Sequence, residues 1–476
     1  MRRDGICVSV AVGTLGAAVL GAVAFADTAT ASNVAAGLGD QRDLEVPTWL
    51  YLLTGGTAIG ASGLLAALVT DRTFVDAIHE WSVPLFGPRE TRSTRRFSAL
   101  LGRTGGVALF AAVVFVGLVG PPVPTANLAV LVTFVGVRSL LPIVAVLVVD
   151  PWPTVDPFRT VATAADAVVP DRLSDALEYP DRLRTWPAVA GLFALVWLEL
   201  VLPITTDPEA LALFALCYAG YAVAGALAFS PEAWFRHGDP LAVLFRLYGS
   251  VAPIQRDDGG YRLVLPGSWL RRPDVVADSS EVAFVLLIVW ELTFSGFVVT
   301  PPGARTIEAV VFAGVPPRSA YLLVLCVGYA LFLGGYLFAA VATRRTAPTY
   351  LTGRVLAVRF APPLLAIAAG YHLAHYVAFS LNLAPALVAT AANPLAPPVN
   401  PTTLALPAWV GALEVATVVC GHLLAIWTAH ATAFDRFPGR LQAIRSQYPF
   451  VVVMIWYTVC SLWILSLPAS SPPFVA

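Results

Sequence analysis

"VAFVLLIVWELTFSGFVV", residues 282–299, decides how this chain is built. It holds one ionisable side chain, Glu291, in an otherwise apolar run close to the roughly 20 residues that carry a helix across a bilayer. Working outward, similar runs fall at 6–26, 47–69, 105–121, 126–149, 187–204, 208–229, 319–342, 357–380, 407–430 and 448–468. The whole chain is 58% hydrophobic and 12% charged, whereas a soluble protein carries roughly twice that charged fraction. The expected fold is therefore all-α: a polytopic transmembrane bundle of ten or eleven helices, with the lipid bilayer as its principal partner.

The segment 1–31 opens with Arg2 and Arg3 and contains two small-residue triplets, Ala24-Phe25-Ala26 and Ala29-Thr30-Ala31. It reads as a signal peptide or as a first helix. Residues 32–476 read as a single polytopic domain. All 29 basic residues are Arg, and their distribution orients the chain. With the N-terminus cytoplasmic, 25 Arg lie inside, Arg42, Arg305 and Arg318 lie outside, and Arg138 lies within a span. The positive-inside rule then makes 71–104, 150–186, 230–279 and 343–356 cytoplasmic and Ala476 extracellular, in a multi-pass plasma-membrane protein. A net charge of −1 gives no argument for nucleic acid, and nothing specifies a protein partner. The five cysteines form no CxxC pair and read as apolar core residues.

Two cytoplasmic loops carry readable structure. In 150–186, "DPWPTVDPF" favours turns and extended pieces over continuous helix, and "VATAADAVVPDRLSDALEY" reads as a short interfacial helix. In 230–279, residues 233–253 read as a membrane-apposed helix, and Asp257-Asp258-Gly259-Gly260 as a turn between two short strands.

Function has to be sought where polar groups enter the membrane, because an ionisable side chain at mid-bilayer costs about 2.5–3.5 kcal/mol on insertion scales. Arg138, Glu199, Glu291, His372, His375, Glu414 and His422 are such residues. At a rise of about 1.5 Å per residue, Arg138, Glu199 and Glu291 all lie roughly 16–18 Å from the cytoplasmic edge. Convergence at one depth describes the lining of an internal site. In "GYHLAHYVAFSL", residues 370–381, His372 and His375 share a helix face with Tyr371 and Tyr376 at contact spacing. The next helix brings Glu414 and His422. Three imidazoles and a carboxylate suit a transition metal, with His372, His375 and His422 as ligands. They also suit a proton relay or axial ligation of haem. The plain alternatives are interhelical hydrogen bonds for the histidines and a structural ion pair of Arg138 with Glu199 and Glu291.

The chain shows no P-loop, GxSxG or HExxH motif. It does contain "GLGDQRDLEVPTWLY" (37–51), "VWLELVLP" (196–203), "FSPEAWFRHGDPLAVLFRLYGSVAPI" (229–254), "GYHLAHYVAF" (370–379) and "GHLLAIWTAH" (421–430). These stretches resemble a poorly characterised family of actinobacterial and haloarchaeal multi-pass membrane proteins, some labelled fenitrothion hydrolase. That label implies organophosphate hydrolysis, for which the chain shows no motif. Members often carry Asp-Gly where this chain has Ser295-Gly296, so no role for that acid transfers. The residues alone point to an integral membrane protein with a His/Glu-lined intramembrane site that binds metal or handles protons. A transporter, a membrane hydrolase and a haem-binding redox protein are the alternatives.

Overall fold

The computed structural model describes residues 48–86, 88–167, 177–257, 260–398, 400–407 and 409–475. The expected segment 1–31 lies outside the described residues, as does Cys7. The fold is an all-α bundle with one small sheet. In chain order its elements are α1 (Thr48–Leu68), α2 (Arg72–Glu80), β1 (Ser82–Phe86), α3 (Pro88–Val119), α4 (Leu128–Leu147), α5 (Pro157–Asp166), α6 (Trp186–Val201), α7 (Pro208–Phe229), α8 (Pro240–Gly249), β2 (Ile254–Asp257), β3 (Gly260–Val264), α9 (Ser279–Val298), α10 (Pro301–Phe312), α11 (Pro317–Thr346), α12 (Gly353–Phe360), α13 (Pro362–Ala392), α14 (Trp409–Arg436) and α15 (Arg440–Leu465). Among the described residues, eight helices are long and apolar enough to cross a membrane. The expected spans at 47–69 and 187–204 are α1 and the shorter α6.

Residues 282–299 form most of α9, the most enclosed of these helices: 89% of its spanning window is buried by protein. That explains why its apolarity has no lipid-facing stripe. A helix surrounded by other helices is apolar all round.

Helix starts follow local chemistry. At Asp156-Pro157, Asp207-Pro208 and Asp239-Pro240 the carboxylate accepts N–H bonds from the first turn of α5, α7 and α8. The proline occupies the first helical position, where its missing N–H costs nothing. The same chemistry corrects two expectations. The prolines of 150–158 begin helices instead of extended pieces. The expected helix 233–253 is broken at Gly238–Asp239 into a π-turn, Trp234–Gly238, and α8, because Asp239 caps a new start.

A third difference is in α13. The sequence suggests an end near Ser380, ahead of Asn382 and Pro385, yet the helix runs to Ala392. Beyond that point it still buries Leu383, Ala386 and Thr390, and this packing carries it through the proline.

The sheet gathers loops that are remote in sequence. The expected hairpin is β2–β3, and β1, which the sequence did not reveal, pairs antiparallel with β3, Ser82 opposite Val264. Nearby, the Arg271 guanidinium binds Asp76 at 2.5 Å and also Asp435. Arg72 donates to the Phe437 carbonyl, and Ile254 N–H to the Val148 carbonyl. Segments 71–86, 148–157, 234–275 and 434–442 therefore share one face of the bundle. On the opposite face the C-terminal segment is tied down: Ser470 N–H donates to the Val299 carbonyl and the Tyr321 hydroxyl to the Pro473 carbonyl.

Candidate functional site: a three-charge group in an apolar cavity

Arg138 lies in the middle of α4, within Val132–Leu140, where the helix widens to π geometry. The Leu141 N–H reaches back to the Gly136 carbonyl, five residues away. Pro142 follows and has no N–H for the Arg138 carbonyl, which removes one α-helical bond at this point. Single π-helical turns inside α-helices recur at functional sites.

The guanidinium sits between two carboxylates. Its Nη2 pairs with Glu291 Oε1 of α9, and its Nε lies 3.4 Å from Glu199 Oε2 of α6. Ser295, one helical turn after Glu291, donates to Glu291 Oε1 at 3.3 Å. Glu291 is the more enclosed acid, with 7% of its side chain exposed against 18% for Glu199. The face of Arg138 stacks over the Tyr376 ring of α13, 5.1 Å from its centroid.

Tyr376 leads to the histidines. His372 stacks on Tyr376 at 4.3 Å between centroids and meets the Tyr248 ring of α8 edge-on at 5.5 Å. Its Nε2 donates to the Ser139 carbonyl at 3.4 Å. Ser139 in turn donates to the Tyr376 carbonyl and pairs with Ser380. His375 Nδ1 donates to the Tyr371 carbonyl, and its ring meets the Tyr371 ring at 4.4 Å. The His375 edge abuts α9 at Gly296. A Cβ there would stand 3.2 Å from His375 Nε2, 2.9 Å from Ile464 and 3.7 Å from the Tyr371 hydroxyl. Glycine in "FSGF" makes room for this contact.

The expected cluster of His372, His375 and His422 is not assembled. Helices α13 and α14 cross where Gly370 meets Gly421: a Cβ on Gly370 would stand 2.4 Å from the Thr417 carbonyl oxygen. On a helix, His372 is about 200° and His375 about 140° round from Gly370. The imidazole pair therefore turns toward α4, α8 and α9, away from α14. His422 Nδ1 donates to the Val418 carbonyl of its own helix, and its Nε2 has no hydrogen-bond partner among the described residues. Among those residues no group of three His, Cys, Asp or Glu side chains could hold a metal ion. Glu414 is buried in the first turns of α14.

Beside the three charges is a cavity of about 250 Å³. Arg138, Glu199, Glu291 and Tyr248 line it together with Trp152, Phe158, Tyr218 and Phe245, and apolar side chains of α3, α4 and α7 complete the wall. A second cavity, a polar cleft of about 460 Å³, opens on the sheet-bearing face and is lined by Asp150, Arg236, Arg246, Arg256 and Trp269 among others. Helix α8 separates the two. Leu241, Leu244, Phe245 and Tyr248 face the inner cavity, and Arg246 and Gly249 face the cleft. Acids at this end are strongly buried. Burial raises Asp150 to about 6 and Asp239 to about 6. It raises Asp156 to about 7, with the neighbouring Asp239 charge adding to the effect.

Sequence reasoning missed Ser139, Ser295 and Tyr248. Ser139 adjoins Arg138 and Ser295 is one turn from Glu291, so helical spacing from an intramembrane charge is the signal that finds them. Tyr248 falls in the expected membrane-apposed helix 233–253, outside the spanning segments, and only tertiary folding brings it to the site. The chain matches no protein-family model, and comparison with curated proteins and with solved structures found none that is similar.

Proposed function

We propose that this integral membrane protein takes up and releases a proton at Glu199, in an intramembrane site that also admits a lipophilic molecule. The observation that carries this reading is the pairing of one guanidinium with two carboxylates in the wall of an apolar cavity. With both acids ionised the group carries one net negative charge, and an uncompensated charge in such surroundings costs several kcal/mol. One bound proton makes the group neutral. Glu291 is engaged by Arg138 and by Ser295, so the proton belongs on Glu199, which has the longer contact and the greater exposure toward the cavity.

Three of the five stretches that carry the family resemblance supply residues here: Glu199, Tyr248, and His372 with Tyr376. Membership of that family is therefore part of the proposal. A metal ion is left out of the proposal, since among the described residues no three His, Cys, Asp or Glu side chains are grouped to hold one. Ionisable residues facing a bundle interior mark ion and proton pathways, which favours a proton-coupled transporter over a hydrolase.

The test is infrared difference spectroscopy of purified protein in lipid, titrated from about pH 5 to about pH 9. A protonated-carboxyl band that Glu199→Gln removes and Glu199→Asp shifts, and that the charge-conserving Glu291→Asp leaves in place, is the expected result. A spectrum unaltered by Glu199→Gln overturns the assignment.

A further inference from the structure

We infer that the inner cavity takes a compact lipophilic monocation, an aromatic or aliphatic ammonium, which displaces the proton from Glu199. This rests on the proton site proposed above and names its ligand.

Charge sets the class of ligand. The Arg138–Glu199–Glu291 group has room for one more positive charge and no more. A proton fills it, and so does a ligand cation. An anionic ligand would raise the excess to two negative charges in an apolar wall. A neutral one would leave the proton where it is.

The cavity walls agree with the charge. Trp152, Tyr218, Phe245 and Tyr248 present aromatic rings to the same space, and ring faces attract cations by about 0.5–2 kcal/mol each, more strongly when water is excluded. Arg138 does not compete for those rings, because its own stacking partner, Tyr376, lies outside the cavity lining. A volume of about 250 Å³ lies below the usual range for drug-sized ligands, about 300–1,000 Å³. The occupant therefore has one ring or a short chain. The exchange balances: the cation enters, the Glu199 O–H bond breaks, its electron pair stays on the carboxylate, and the proton leaves to water.

The experiment uses the full chain in lipid nanodiscs. Benzyltrimethylammonium is the probe, since its charge is permanent and it carries no proton of its own. Neopentylbenzene is its neutral counterpart of the same shape. Calorimetry in two buffers of different ionisation enthalpy is expected to show about one proton released per cation bound. Below the titration point of the site, apparent affinity for the cation is expected to fall about tenfold per pH unit. Glu199→Gln is expected to weaken cation binding at least about tenfold and abolish its pH dependence. Glu199→Asp is expected to retain both. Neopentylbenzene binding alike to wild type and Glu199→Gln shows that the variant is folded. The inference is overturned if the neutral compound binds wild type as tightly as the cation, or if cation binding survives Glu199→Gln. The infrared band separates the two failures. A Glu199 band without cation preference sinks the ligand alone, and its absence sinks the proton site on which the ligand rests.

Discussion

Arg138 is the residue on which the intramembrane layer depends. It contacts Glu199, Glu291 and Tyr376, which belong to three different helices. Removing one member of a buried ion pair strands the others, at about 3–5 kcal/mol, whereas an exposed pair is worth under about 1 kcal/mol. Arg138→Gln should therefore lower stability by about 3–5 kcal/mol. Glu199→Gln should cost less, because it leaves one carboxylate opposite the guanidinium. Thermal unfolding of the two variants in the same lipid checks this order, and equal losses would contradict it. At this scale the sequence was informative: a lone charge in an apolar run announces itself. That Arg138 meets Glu199 and Glu291 was one reading that a shared depth allowed, and the contacts themselves came from the structure. Depth along a helix axis follows from residue count, while rotation about the axis and the choice of neighbouring helix do not.

At the scale of elements, the Asp-Pro starts tie stability to pH. Asp156 accepts two first-turn N–H bonds of α5, and its Oδ2 is buried with no hydrogen-bond partner among the described residues. Its carboxyl sits near 7 in the folded chain against an ordinary value of 3.8. Between those values the folded state holds the proton and the unfolded state does not. Its contribution to stability is therefore largest at the acid end of the window and declines as pH rises toward 7. Asn caps a helix as well as Asp does and does not titrate. Asp156→Asn should thus flatten the fall in stability from about pH 5 to about pH 8, by on the order of 1–3 kcal/mol. Melting temperatures of the two proteins across that range decide it, and parallel curves would refute the assignment. The capping residue and the proline could be read in the sequence. That the cap itself would be buried, beside a second buried acid, could not.

At the scale of the whole molecule, the sheet and the Arg271 clasp bring the loops at 71–86, 148–157, 234–275 and 434–442 to one side. Single cysteines placed at Arg256, Arg354 and Arg440 in a cysteine-free background should then be labelled from the same side of sealed vesicles. Cysteines at Arg305 and Arg318 should be labelled from the other. Mixed accessibility within either set would break the proposed topology. Orientation by arginine count adds the expectation that the first side is cytoplasmic. Cys217, Cys326 and Cys420 are exposed at the bundle surface and not in the core, where the sequence suggests them, while Cys460 is partly buried, and none of the four forms a disulfide.

Sequence alone is enough for the class of fold and for where its long apolar helices run, eight of which among the described residues are long enough to cross a membrane. Each depends on the apolarity and length of a continuous stretch, which the solvent reads one segment at a time. Tertiary structure decided the partners. The glycine contact between Gly370 and Gly421 draws α13 and α14 too close for imidazoles between them, and so turns His372 and His375 away from His422. The meeting of α4, α6 and α9 placed one guanidinium between two carboxylates. Rotation about a helix axis is set by the shapes of neighbouring surfaces. A periodic pattern cannot encode it when, as in α9, the helix is buried on every side.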